Sequence, residues 1–391
     1  MSILSQSTGN DELAVVAAHL SNASSVEEVF GELPGTVAEQ LDRLQRLYRQ
    51  LALGVHPDRH GNDPAAHDAF IALQRFHLAA QAQIRDGRYG QRPDLATSVV
   101  ITTRRRTYTV GAPLAAGDLA ALYTCTVADR LNPVVDPVGC ILKVARDAQD
   151  NDLLANEARV LRHLATATDG RPVPAYIPRL LETFRYQDEA GDTCQVNAFP
   201  LVTTEPGPLL ADQFYTLREI REVYQDGVEP GHGAWIWRRL LLALDYAHDH
   251  DVIHGAVLPT HVLIHPEAHG LLLIDWTASV LDARLTGAPI PAISAEYQGW
   301  YPLAVLAKAP PTPAVDLEMG LRCMVYLLGG DPLTGALPPR VPSPIQTYLQ
   351  RALWTGAART DAGQLYRDFA DLLASLWGKR RFMPFAMPAR R

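Results

Sequence analysis

Lys143, Glu157 and Asp275 are three charged side chains set in otherwise apolar runs, and their pairing is the chemistry most visible in this sequence. Lys143 lies inside Gly139-Cys140-Ile141-Leu142-Lys143-Val144, in a chain whose lysines are only Lys143, Lys308 and Lys379 among 35 basic residues. Fourteen positions later, Glu157 falls on the helical face marked by Leu153, Leu154, Leu161 and Leu164. An ammonium or a carboxylate placed alone in an apolar environment is costly; each of these two supplies the partner the other needs. Asp275 ends the apolar run Leu271–Ile274, 21 positions after His254. Far upstream, the tripeptide His56-Pro57-Asp58 sits in a loop rich in Pro, Asp, Gly and Asn. There an exposed Asp58, with Arg43 and Arg46 on the preceding helix, offers charge-assisted contacts to a partner.

The elements that must carry these residues follow from periodicity. Val37, Leu41, Leu44, Tyr48, Leu51 and Val55 recur at steps of four and three, the period of one helix face, which leaves Arg43, Arg46 and Gln50 facing solvent. A second helix starts near Pro64, a favoured first-turn residue, and lines up Ala66, Phe70, Leu73, His77, Ala80 and Ile84. Two amphipathic helices with a short loop between them form a hairpin. After Arg92-Pro93 the pattern changes to short β-rich runs at Ser98–Thr103, Thr107–Val110, Leu122–Val127 and Gly139–Val144, followed by a helix over Asp150–Ala167. Farther on come a helix over Trp237–Asp249 and a hairpin of Val262–Ile264 with Leu271–Ile274. Strands first and helices afterwards predict an α+β domain of two lobes.

Composition bounds the function classes. At 391 residues and 47% apolar content the chain can bury more than one core, and a formal net charge of −8 gives it no overall footprint for nucleic acid or anionic membrane. Leu240–Leu244 and Leu271–Ile274, the longest apolar runs, are far shorter than a bilayer span. Cys125, Cys140, Cys194 and Cys323 make no closely spaced pair, which predicts neither a disulfide framework nor a zinc site and fits a reducing cytoplasm. His248, His250, His265 and His269 lack ligand spacing and are expected as surface or core residues. Residues 1–24 are polar and weakly patterned, as a mobile leader would be.

Two resemblances organise these observations. LYRQLALGVHPDRHG, between a helix with a basic face and a second helix, resembles the J domain of co-chaperones over residues 25–92, with Tyr48, Leu51, Phe70 and Tyr89 at matching positions. That resemblance implies docking of His56, Pro57, Asp58, Arg43 and Arg46 on a seventy-kilodalton heat-shock ATPase chaperone, with delivery of a protein client. Gly54 and Val55 depart from the basic or aromatic residues many members carry there.

The stretch VIHGAVLPTHVLIHPEAHGLLLIDW, Val252–Trp276, resembles the catalytic loop and metal-binding Asp of protein kinases and of small-molecule kinases such as aminoglycoside phosphotransferases. The resemblance covers residues 98–391, with an N-lobe at about 98–205 and a C-lobe at about 206–391. It implies that Lys143 and Glu157 form the ion pair that holds ATP phosphates, and that Asp275 is the ligand for Mg or Mn. Gly117 matches one glycine of the phosphate-covering loop, where Ala115 and Ala120 replace the outer two. Asp316 resembles the residue that braces the loop from a C-lobe helix. The departures fall on the chemistry. Ala256 stands where the family has its general base, which is worth roughly a hundred- to ten-thousand-fold. His261 stands where a second metal ligand is an Asn, so that metal position is lost. Gly255 removes the Arg that contacts a phosphorylated activation segment. The expectation is a cytoplasmic J-domain protein whose pseudokinase half binds nucleotide or a partner and has no catalytic residues of its own. The alternative is an atypical ATP-dependent phosphotransferase, acting on protein or small molecule through Lys143 and Asp275. The tail KRRFMPFAMPARR is expected to pack back on the C-lobe.

Overall fold

Thr36 opens the main helix of the N-terminal unit with a capping box. Its hydroxyl and backbone N–H donate to the Glu39 carboxylate, and its hydroxyl oxygen accepts from the Glu39 N–H. The computed structural model describes scattered positions between residues 13 and 23 and then residues 26–55, 59–60, 63–85, 89, 99–130, 138–166, 170–187, 191–201, 203–204, 207–208, 213–354, 361–379 and 382–388. The chain divides into two compact units, one ending at Thr97 and the other starting at Ser98.

In the first unit, helices α1 (Val26–Phe30), α2 (Val37–Val55) and α3 (Pro64–Arg85) enclose a small core. Leu44, Val55, Ala66, Leu73, Ala80 and Ile84 are completely buried in it. Both long helices therefore bury the faces their spacing marks, except that Val37, in the first turn of α2, stays 45% exposed. His77 lies inward, stacked on Tyr48 with ring centroids 4.1 Å apart, and burial lowers its pKa. The Tyr89 hydroxyl donates to the Gly31 carbonyl at 2.8 Å and ties the end of the unit to its beginning. A leader over residues 1–24 does not hold throughout. Leu13, Val16 and Leu20 are buried in the same core, because their spacing of three and four places them on one helical face.

The second unit begins with a six-stranded antiparallel sheet. Its strands β1 (Val100–Thr102), β2 (Arg106–Ala116), β3 (Ala120–Asp129), β4 (Val138–Ala145), β5 (Glu182–Gln187) and β6 (Thr193–Pro200) lie in the order β1-β2-β3-β4-β6-β5. Helix α4 (Asn151–Ala165) packs on β6 and buries Leu154, Leu161 and Leu164. The helical part centres on α5 (Leu217–Val223), α6 (Pro230–Asp249), α7 (Pro313–Leu327), α8 (Ser343–Trp354) and α9 (Ala362–Trp377). Its core includes the fully buried Trp237 and Trp276. Between α6 and α7 run β7 (Val252–Ile253) and the antiparallel pair β8 (Val262–His265) and β9 (Gly270–Leu273).

The tail packs on this helical part. Phe385 is buried and stacks on His232, and the carbonyls of Ala386 and Pro388 accept from the Tyr224 and Tyr215 hydroxyls. The His269 ring lies between Trp235 and Phe382, with Nε2 at 2.7 Å from the Met383 carbonyl. Among the described residues no helix is long and apolar enough to cross a membrane.

One expectation fails outright. Cys125 and Cys140 are joined by a disulfide, with Cα atoms 5.1 Å apart. Sequence spacing concealed it because the two residues are direct partners across β3 and β4, brought together by strand register. The cysteine argument for a reducing compartment falls with it. Cys194 and Cys323 are free and buried.

Leu44→Ala leaves a cavity at the centre of the first unit and is expected to cost about 2–5 kcal/mol. Hydrogen exchange should show α2 and α3 amides losing protection together; unchanged protection would place Leu44 outside a cooperative core.

Candidate functional site

Strand β4 carries Lys143 inward, opposite Asn197 of β6 and Leu122 of β3. Its Nζ donates to Glu157 Oε1 at 2.9 Å and to Asp275 Oδ1 at 2.7 Å, so three residues 132 positions apart in the chain meet at one ammonium. Lys143 is 8% exposed and Glu157 2%. Every oxygen of the Glu157 carboxylate is engaged: Oε1 also accepts the Trp276 N–H at 3.2 Å, and Oε2 accepts from Asn197 Nδ2 at 2.9 Å. Asn156, the neighbour of Glu157 on α4, donates to the carbonyls of Thr277 and Ser279 at 3.0 and 2.8 Å. Helix α4 is thereby stapled to the segment that follows Asp275.

Asp275 itself has a left-handed backbone with φ of 64°, a sharp turn after β9 that aims its carboxylate at Lys143. Oδ1 accepts from the Thr277 hydroxyl at 2.8 Å as well as from Lys143, and Oδ2 lies 3.3 Å from His261 Nε2. Burial by itself would raise the Asp275 carboxyl, but Lys143 and His261 beside it hold it far below the usual carboxylate range. Burial would lower Lys143; the Asp275 and Glu157 charges overcome that and hold it above its ordinary value. The cluster is thus a charged one, stable because each desolvated charge has an opposite neighbour.

The loop between β7 and β8 is braced from α7. Asp316, completely buried, accepts the N–H groups of His254 and Gly255 at 2.8 Å each and lies 2.9 Å from His248 Nε2. His254 Nε2 is 3.1 Å from the Ile274 carbonyl, and Nδ1 accepts the Ala256 N–H at 3.2 Å, which is the bonding of a neutral ring. Burial pushes the His254 pKa down to about 4. Gly255 has φ of +78°, and a Cβ there would stand 2.7 Å from the Ala278 carbonyl, so no arginine fits this backbone. Ala256 presents a buried methyl at the position of the family's general base, and its carbonyl lies 2.8 Å from His261 Nδ1.

A hard divalent cation prefers several oxygen ligands. Here both oxygens of Asp275 are already engaged, and His261 turns a ring nitrogen toward that carboxylate instead of adding an oxygen. Among the described residues no group of three His, Cys, Asp or Glu side chains could hold a metal. In this arrangement Asp275, the expected metal ligand, is held by Lys143 and Thr277 at Oδ1, with His261 beside Oδ2. The expectation for Gly117 is a place in a phosphate-covering loop. It lies in the β2–β3 turn, its N–H donates to the Ala120 carbonyl at 2.9 Å, and its own carbonyl accepts from Arg146. A Cβ added at Gly117 would make only ordinary contact, so the turn does not require glycine. Lys143, Glu157 and Asp275 therefore come together, with no such link to Gly117.

Sequence reasoning missed Asn197 and Asn156, which complete the cluster. Asn197 could have been found, since it interrupts the apolar stretch Val196-Asn197-Ala198-Phe199 as Lys143 does its own strand. Asn156 gives no such signal on a polar-rich helix turn.

In the first unit Arg46 pairs with Asp42 one turn away, and Arg43 donates to the Pro34 carbonyl. His56, Pro57 and Asp58 lie outside the described residues.

Removing Lys143 strands the buried Glu157 carboxylate and the partly buried Asp275 carboxylate. Lys143→Met is expected to cost about 3–5 kcal/mol in urea unfolding, partly recovered by adding Glu157→Gln; equal stability of Lys143→Met and the parent chain would refute the cluster. His254 gives a pH dependence of definite sign. An unfolded imidazole titrates near 6.5, and the folded ring near 4. Between these values the unfolded state binds more protons, so stability is full above about pH 6.5 and falls as pH drops toward 4, by about 3 kcal/mol from this group. His254→Asn should flatten that slope in unfolding titrations between pH 7.5 and 4.5, and an unchanged slope would assign it elsewhere.

No protein-family model matches this sequence, and no curated protein matches it. Among solved structures, the chain is similar to the structure of vaccinia related kinase 3, with a TM-score of 0.51 and 15% identity over 72% of this chain and 91% of that one. The sheet-rich lobe, with its buried Lys143–Glu157 pair, and the helical lobe thus have a protein-kinase-like fold.

Proposed function

We propose that this chain is an adaptor in which the kinase-like unit binds nucleotide or a protein partner without transferring phosphate. The observation that carries this reading is the environment of Asp275, whose carboxylate is held by Lys143 and His261, beside a loop that offers Ala256 as its base. Phosphoryl transfer also rests on a residue that orients the acceptor and on metal-assisted charge neutralisation, and on this reading Ala256 and the engaged Asp275 supply neither. ATP, when bound, would bring its phosphates to the Lys143 ammonium, with no divalent ion bridging them to Asp275. The first unit is the coupling module on this reading. Its two packed helices flank the His56-Pro57-Asp58 loop in the manner of J domains, which supports docking of that loop on a seventy-kilodalton heat-shock ATPase, with the client held by the kinase-like unit.

A second reading has its own support. Lys143, Glu157 and Asp275 are assembled, and the loss of a base need not abolish transfer. A thermal-shift titration with ATP, with and without magnesium or manganese, separates the two. Nucleotide at about 100 times its Kd contributes about 2.7 kcal/mol, expected as a rise of about 5–10 °C in Tm that is the same with and without metal. His261→Asn frees Asp275 and supplies an oxygen, so a metal-dependent increment is expected in that variant alone. Transfer of labelled phosphate by the parent chain that vanishes in both Lys143→Met and Asp275→Asn would replace the adaptor reading with the enzymatic one. For the first unit, stimulation of chaperone ATP turnover that is lost in His56→Gln is expected, and no stimulation by the parent chain would remove the docking assignment.

A further inference from the structure

The last described segment of the chain lies on the helical lobe as a peptide lies on a receptor. Residues 382–388 form neither helix nor strand, and side-chain groups from three places meet their backbone. The Tyr215 and Tyr224 hydroxyls donate to the carbonyls of Pro388 and Ala386, and His269 Nε2 lies 2.7 Å from the Met383 carbonyl. One side chain anchors the segment. Phe385 is 4% exposed, stacked on His232 with ring centroids 4.5 Å apart and edge-on to Trp235 at 6.4 Å. Gly231 leaves the room that Met383 takes, since a Cβ there would stand 2.4 Å from the Met383 Sδ. Phe382, by contrast, is 68% exposed. The walls of this groove have support of their own. Arg239 covers the Trp235 ring at 5.0 Å, the His269 N–H donates to the Pro266 carbonyl within its own hairpin, and the Tyr224 N–H donates to the Ile220 carbonyl at the end of α5.

We infer that this groove is a peptide-docking site, closed by the chain's own tail, for a proline-containing segment of a partner protein that carries an aromatic anchor. Contacts to backbone carbonyls are indifferent to side-chain identity. What the groove selects is therefore an anchor the size of Phe on a backbone that is neither helix nor strand. Proline supplies the second property, because it fixes φ near −65° and has no N–H, and a pre-organised segment loses less entropy on binding. The tail meets both requirements through Phe385, Pro384 and Pro388. Tethered to α9, it competes at high effective concentration, so a partner must bring a comparable anchor to displace it. With Phe385 as its one deeply buried side chain and Phe382 left in solvent, the tail holds the groove through few contacts that a rival segment cannot copy. The inference names the partner surface of the adaptor reading and rests on that reading to this extent; it needs neither nucleotide binding nor chaperone docking.

The test uses the full chain and a fluorescein-labelled synthetic peptide of residues 381–390, read by fluorescence anisotropy at physiological salt. In Phe385→Ala the tail loses its anchor and the groove opens. This variant is expected to bind the peptide saturably, at least about tenfold more tightly than the parent chain, whose tail competes. Giving the peptide the same Phe385→Ala change, or adding Tyr215→Phe and Tyr224→Phe to the chain variant, should weaken binding at least about tenfold. A second arm needs no variant: a peptide with benzoylphenylalanine in place of Phe385, in large excess over the parent chain, should crosslink on illumination to α6 between His232 and Trp235. The ATP-induced change in Tm is measured on the same preparations. No peptide binding with the ATP shift intact removes this inference alone, and phosphate transfer by a chain that binds the peptide removes the adaptor reading alone. The proposal is overturned by absence of both saturable binding to Phe385→Ala and the α6 crosslink, by equal binding to parent and variant, or by an unweakened Ala-anchored peptide. A concentration-dependent dimer of the parent chain that Phe385→Ala abolishes would also overturn it, by giving the groove to the tail of a second copy.

Discussion

The kinase-like unit depends on how one buried ammonium is neutralised. Lys143 has left water in the middle of a sheet, and desolvation of a charge is among the larger penalties a fold can carry. It is offset by two carboxylates from separate parts of the chain, one on α4 and one at the end of β9. The ion cluster therefore fixes the position of the helix relative to the sheet and the position of the helical lobe relative to both. The Asn156 contacts to Thr277 and Ser279 and the Asn197 contact to Glu157 reinforce that arrangement with neutral hydrogen bonds.

The same cluster sets the surroundings of the Asp275 carboxylate. A catalytic carboxylate in such a fold has to be available to a cation. Asp275 accepts from Lys143 and Thr277 at Oδ1 and has His261 Nε2 at 3.3 Å from Oδ2. His261 and Ala256 are linked through the contact of the imidazole with the Ala256 carbonyl, so the two departures from the kinase pattern are one local structure. Asp316 holds the loop in kinase-like shape from behind, through three contacts that have no need of catalysis.

Much of this was legible in the sequence where a residue violates its surroundings. Lys143 and Glu157 stood out because charge in an apolar run demands a partner, and the helices of the first unit stood out because their apolar periodicity is strong. Legibility failed where the deciding relation was between distant segments. Asp275 read as a metal ligand, and nothing local shows that Lys143 and Thr277 both bond to its Oδ1. Gly117 looked like part of a phosphate loop, yet its amide is committed to Ala120. Leu13, Val16 and Leu20 looked like part of a free leader, and the core they join is formed by residues up to Tyr89.

The sequence by itself determined the helices and strands, the order of the two units, the Lys143–Glu157 pair and the absence of a base at Ala256. These follow from periodicity, side-chain type and short spacing, which are local properties. Only the tertiary structure decided the rest. Strand register joined Cys125 to Cys140, the turn at Asp275 delivered its carboxylate to Lys143, and the packing of α4 on β6 brought Asn197 to Glu157. Each depends on segments far apart in the chain becoming neighbours, and sequence spacing carries no measure of that distance.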